Sequence, residues 1–188
     1  SLLFKPDRPT APDGQSNVRS RIGPRMRHYG ETRTGGQMYF FESKAGILYV
    51  GLVIGHDTIT SWQKFYLDGN EVALDGAFRV DTAPYVVGST KLVQFHLQAG
   101  AVSQVAQPEL LAEFPAAWTA QHQLNGLANL LVTFRDTSVD DFSRVYPQGR
   151  PSVEVVVRGV KVYDPRTLTT LYSDNAALII RDYLLSAD

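Results

Sequence analysis

Cysteine is absent from all 188 residues. That excludes disulfide scaffolds, thiol catalysis, iron–sulfur clusters and thiolate zinc sites. No apolar run reaches the roughly 18–20 residues that span a bilayer as a helix, and the first residues lack a basic-then-apolar signal pattern. An excess of one charge sign is missing too. Eighteen Lys and Arg stand against nineteen Asp and Glu, a net charge of −1, so no global field selects nucleic acid or an anionic membrane. Internal repeats and low-complexity tracts are likewise missing. What is present is 44% apolar and 11% aromatic residues, enough for one domain with a substantial core or for two small ones.

The charge is unevenly placed. Residues 1–35 hold Lys5, Arg8, Arg19, Arg21, Arg25, Arg27 and Arg33 against Asp7, Asp13 and Glu31, a balance of +4, which leaves −5 for residues 36–188. Pro6, Pro9, Pro12 and Pro24, with Gly14 and Gly23, break any helix or central strand. We therefore expect residues 1–35 to be an extended basic arm lying across a neighbouring surface, and residues 36–188 to be the β-rich body. Without interleaved aromatics the arm is no base-stacking platform. The start at Ser1 without methionine, and the stop at Asp188 after an apolar stretch, lead us to expect a fragment of a longer polypeptide.

From Gln37 onward the pattern is that of strands. Residues 38–42 and 47–54 form a β-hairpin around a four-residue turn at 43–46. A third strand at 59–67 alternates Ile59, Ser61, Gln63, Phe65 and Leu67 against Thr60, Trp62, Lys64 and Tyr66. Asp68-Gly69 tolerates the positive φ of a tight turn before a short partner at 71–74. Further β runs are expected at 92–97, 128–134, 152–157 and 160–163. One or two helical turns at 109–114 stop at Pro115, and a single capped turn fits 138–143. The clearest helix comes last, capped by Ser173 or Asp174, with Ala177, Ile180, Tyr183 and Leu184 on one face. The fold class is thus mainly β, or α+β with little helix. We expect antiparallel sheets, long loops at 75–91 and 98–127, and a C-terminal helix.

No catalytic, metal or cofactor residues emerge. The four histidines, His28, His56, His96 and His122, have no ligating partner at the spacing of a metal motif. His56-Asp57 reads as a turn and Asp140-Asp141 as the first turn of a helix. Serines sit in no Gly-x-Ser-x-Gly elbow, and Gly35-Gly36 lacks the Lys-Ser or Lys-Thr of a phosphate loop.

The sharpest local feature runs from Arg158 to Arg166. Gly159-Val160-Lys161-Val162-Tyr163-Asp164-Pro165-Arg166, followed by Tyr172-Ser173-Asp174-Asn175-Ala176-Ala177-Leu178-Ile179-Ile180-Arg181-Asp182-Tyr183-Leu184, resembles the tail-tip, or host-specificity, proteins of long non-contractile-tailed bacteriophages. It is also similar to the related hub protein of gene transfer agents. Further matches keep the same order: Arg27-His28-Tyr29-Gly30 with Gly35-Gly36 and Phe40-Phe41, Leu67-Asp68-Gly69, Gly126-Leu127-Ala128-Asn129-Leu130, and Pro151. Ala176 departs from a frequent proline and Val160 from a frequent basic residue, which bears on subfamily.

The resemblance implies a baseplate hub. Such proteins form a homotrimeric ring that closes the tail tube, contact the distal tail and tape-measure proteins, and carry receptor-binding regions elsewhere in the chain. It implies a virion tail-tip location and assembly in the host cytoplasm. Nucleic acid would be met only as DNA passing through the tail. It carries over no catalytic, cofactor or metal residue, so no enzyme and no cofactor is expected. The alternative is a carbohydrate- or receptor-binding β module using Trp62, Tyr66, Tyr85 and Trp118, with buried core as the plain reading of each. A hydrolase with dispersed carboxylates comes third.

Overall fold

The computed structural model describes residues 25–186, so residues 1–24 of the expected arm lie outside the described residues. In chain order the strands are β1 (Glu31–Thr34), β2 (Gln37–Lys44), β3 (Ile47–His56), β4 (Ser61–Leu67), β5 (Asn70–Val72), β6 (Val86–Val87), β7 (Thr90–Lys91) and β8 (Val93–Ala99). Helix α1 (Pro108–Glu113), β9 (Leu127–Arg135) and α2 (Val139–Val145) follow. Then come β10 (Val153–Arg158), β11 (Val162–Asp164), β12 (Thr169–Leu171) and α3 (Ala176–Leu185). The fold is mainly antiparallel β with three short helices among the described residues, as the sequence predicts. None of these helices is long and apolar enough to cross a membrane.

Two four-stranded sheets carry the architecture, ordered β2-β3-β9-β8 and β1-β10-β4-β5, with β6-β7 and β11-β12 as separate ribbons. One apolar cluster joins their facing sides. Val50, Leu52, Phe95, Leu130 and Val132 of the first sheet meet Phe65, Leu67, Val153, Val155 and Val157 of the second. The other face of the first sheet is also covered. Phe40, Tyr49 and Leu131 pack under Ala106, Leu110 and Trp118 from the connection between β8 and β9. This double cover explains why β9 reads as an almost unbroken apolar run, since a strand buried on both sides loses its polar alternation.

Local chemistry accounts for the element ends. Ser138 caps α2, its hydroxyl accepting from the Asp141 N–H, and Pro108 opens α1 where a missing N–H costs nothing. Four expectations need correction. The turn between β2 and β3 has two residues rather than four, because the ladder continues to the Lys44–Ile47 pair and only Ala45 (φ 50°) and Gly46 (φ 75°) remain outside it. Asn175, one residue after the expected caps, holds the start of α3 by accepting from the Ala177 and Leu178 N–H groups. The last β run begins at Val162, because Gly159 and Val160 turn aside to pair with residues 28–30.

The fourth correction concerns β4. Val157 pairs with Trp62 and Val156 with Lys64, so Gln63 is the extra residue of a β-bulge. The bulge shifts the alternation by one. Trp62 turns to the side of Phe65 and Leu67, packs against the main core, and stacks on Phe65 with ring centroids 6.5 Å apart.

Within the expected arm, residues 31–34 form β1, which pairs antiparallel with β10 as an edge of the second sheet. At the β2–β3 turn, Ala45 occupies the left-handed region that glycine or asparagine adopts more easily. Ala45→Asn should therefore stabilise the fold by about 1 kcal/mol, seen as a rise of about 2–4 °C in melting temperature.

Candidate functional site

Several segments that carry the sequence resemblance meet in space. The backbone of residues 26–30 runs between the end of β3 and the turn after β10. Gly159 N–H donates to Gly30 O (2.8 Å), Val160 N–H to His28 O (2.9 Å) and His56 N–H to Met26 O (2.6 Å). The buried His28 ring adds a bond between Nε2 and Ile54 O at 2.8 Å. One short segment thus ties the first sheet to the second.

Glycine at 159 is required by space. A Cβ there would overlap the carbonyl carbon and oxygen of His28 and stand 2.9 Å from Tyr29 N. Gly55 plays the same part from β3, where a Cβ would come 2.8 Å from the His28 ring.

The neighbours of His28 reach α3. Tyr29 donates its hydroxyl to Asp182 (2.9 Å), and the Arg27 guanidinium bridges Asp182 (3.1 Å) and Asp57 (3.2 Å). Burial first, then the Asp182 carboxylate, pushes the Tyr29 phenol above its ordinary value, against hydrogen bonding from Ser186. Asp57 itself adopts φ 72°, and its N–H donates to Gly126 O. The Gly126 motif is therefore linked to the same place. Likewise Asp68 of the Leu-Asp-Gly turn accepts from the N–H of Ser152, the residue after Pro151 (2.7 Å).

The remaining histidines have separate surroundings. His56 Nδ1 lies 3.2 Å from its neighbour Asp57, His122 faces Thr119, and His96 Nδ1 lies 2.8 Å from Glu109 on α1. The hydrogen bond from His96 holds the Glu109 carboxyl below its usual range, against the effect of burial. No local spacing signals this pair, since the fold of the 98–127 connection is what brings Glu109 over β8. Among the described residues no three His, Cys, Asp or Glu side chains form a group able to hold a metal. Asp140 and Asp141 lie in the first turn of α2, where Asp141 is engaged by Ser138 and Arg144.

The aromatic residues weighed for carbohydrate binding divide into two pairs. Trp118 and Tyr85 are buried, and burial pushes the Tyr85 phenol up to about 12. Trp62 and Tyr66 are half-buried, and the Arg33 guanidinium covers the Tyr66 ring at 3.9 Å from its centroid. Two clefts open elsewhere. One of about 320 Å³ lies between the β2–β3 turn and the Phe142 and Tyr146 rings. The other, of about 360 Å³, lies beside His56, Arg25 and Asn125.

Several carboxylates are held low by specific contacts. Asp75 accepts from the N–H groups of Ala77 and Arg79 and from the Arg79 and Lys91 side chains, which together hold its carboxyl far below the carboxylate range. Arg166 holds Asp164 at about 2, and Arg144 with Ser138 lowers Asp141. A carboxyl lowered by folding contributes stability that is complete above its unfolded value and lost as pH falls through the folded one. Melting temperature should therefore be flat between about pH 5 and pH 9 and fall steadily below about pH 4. Asp75→Asn should make that acid limb shallower, read from melts in a pH series.

Fold and site together define a two-sheet antiparallel β protein whose best-built feature is a structural junction of backbone and ion-pair contacts. No family model matches the chain, and no curated protein matches it. Among solved structures it is similar to a chain of the virion of a native gene transfer agent particle, at 17% identity and a TM-score of 0.49. The match covers 79% of this chain and 29% of that one, so this chain spans less than a third of its length.

Proposed function

We propose that this chain is a structural, non-enzymatic domain of a phage-like tail-tip protein. It would form part of the baseplate hub that closes the tail tube and links it to receptor-binding regions for host attachment and DNA delivery. The reading rests on the ordered motifs of the sequence, and one observation supports it: several of those motifs, far apart in the chain, are in contact. Arg27 to Gly30 meets Gly159-Val160 and Asp182, Asp57 joins the Gly126 motif, and Asp68 meets the residue after Pro151. Contacts between segments so far apart in the chain are what motifs that specify a fold would make.

In this reading the partners are two further copies in a trimeric ring, with the distal tail and tape-measure proteins. The location is the virion tail tip. Cryo-electron microscopy of the particle that carries this chain tests it. Three-fold related density at the distal end of a tail supports the assignment, and density at any other place, or without three-fold symmetry, removes it. Of the four aromatics that the carbohydrate-binding alternative would use, Trp118 and Tyr85 face the core, while Trp62 and Tyr66 are half-buried.

A further inference from the structure

Helix α3 combines two unusual features. None of its residues is buried, and Leu178, Ile179, Arg181 and Asp182 are only half-buried. The face expected to be apolar points to solvent: Ile180 is 57% exposed, Tyr183 62% and Leu184 68%, and Leu185 beyond them 65%. Packing against the core therefore does little to hold this helix.

Its strongest polar contacts with the rest of the chain converge on one residue. Asp182 receives both the Tyr29 hydroxyl at 2.9 Å and the Arg27 guanidinium at 3.1 Å. Beyond that, Arg181 lies over the Tyr163 ring of β11 at 5.4 Å from its centroid. Arg27 divides its charge between Asp182 and Asp57, and its Nε makes no well-aligned hydrogen bond although Asp57 is 3.2 Å away. A helix of ten residues is marginal in water without tertiary support, so contacts such as this one contribute strongly to its persistence.

We propose that Asp182, Arg27 and Tyr29 form a releasable latch, and that α3 is a conformational element held in place by it. Opening the latch exposes little additional apolar surface, because most of that surface is already outside. The same opening frees residues 25–30 from α3 without breaking the main core. The latch therefore couples residues 25–30 of the basic N-terminal segment to the last helix, and screening by salt loosens it.

Amide hydrogen exchange on the full 188-residue chain tests the proposal. Asp182→Ala should accelerate exchange of the amides of residues 179–185 by about tenfold or more, the factor expected for loss of charge-assisted hydrogen bonds. Alanine is the better helix former, so propensity alone would slow exchange. Arg27→Ala should act on the same amides, and the double variant should add little to the larger single effect. About 1 M salt should accelerate these amides in the unmodified chain and leave Asp182→Ala unchanged. Amides of β9 should keep their protection throughout. Unchanged protection of α3 in Asp182→Ala, additive effects of the two substitutions, or equal acceleration of β9 would each overturn the latch.

Discussion

Gly159→Ala is expected to destabilise this protein by at least about 3 kcal/mol and to lower its melting temperature by about 6–12 °C. The new Cβ would overlap the backbone carbonyl of His28, which cannot rotate away as a side chain would. That carbonyl accepts the Val160 N–H, and Gly159 itself donates to Gly30 and accepts the Thr60 N–H (3.0 Å) and hydroxyl (2.7 Å). Relieving the overlap therefore breaks several inter-segment bonds at once. Two other glycines serve as controls. At Gly69 a Cβ would meet no neighbouring atom, but the residue adopts φ 77°, so Gly69→Ala should cost only about 1 kcal/mol. Gly76 has open space and no positive φ, and Gly76→Ala should lie within about 0.5 kcal/mol of the parent. Equal melting temperatures for the substitutions at 159 and 76 would show that the junction yields without cost.

Arg33→Ala is the second substitution expected to be severe, at about 3 kcal/mol. Glu154 on β10 keeps only 5% of its side chain exposed, and Arg33 on β1 pairs with it through Nε (3.1 Å) and a second, shorter contact from the guanidinium. The same guanidinium covers Tyr66 and so fastens the edge strand β1 to both β10 and β4. Truncating it strands a buried carboxylate. The cost lies mainly in that unpaired charge, so Arg33→Ala with Glu154→Gln should recover much of the loss in chemical denaturation. A double variant as unstable as the two single losses combined would contradict this account.

Much of the fold can be read from local chemistry. Asp68-Gly69 sets a tight turn because both residues tolerate positive φ, Ser138 caps α2 with its own hydroxyl, and the alternation of 92–97 marks β8. Bulges defeat that reasoning. Gln63 in β4 looks like any other alternating residue, yet its displacement decides that Trp62 faces the core. Short strands escape it too. β1, β6, β7 and β12 have four residues or fewer, and their pairing partners are distant or lie across a turn.

The junction was legible as residues and illegible as a place. Arg27 to Gly30, Gly126, Gly159 and Asp182 stand out in sequence, but 131 positions separate His28 from Gly159 and no spacing rule joins them. His96 and Glu109 show the same limit, because their contact depends on how a long connection folds over the sheet.

By itself the sequence determined what this chain cannot be built from, its mainly antiparallel β class, its capped and turned element ends, and the split between a basic N-terminal segment and an acidic body. Those properties follow from composition and from interactions between near neighbours, which periodicity and turn chemistry record. Only the tertiary structure decided that His28 sits between two sheets, that Gly159 must lack a side chain, and that α3 is held by Asp182 with its apolar face outward. Each of these depends on contacts between segments far apart in the chain, set by how whole sheets pack.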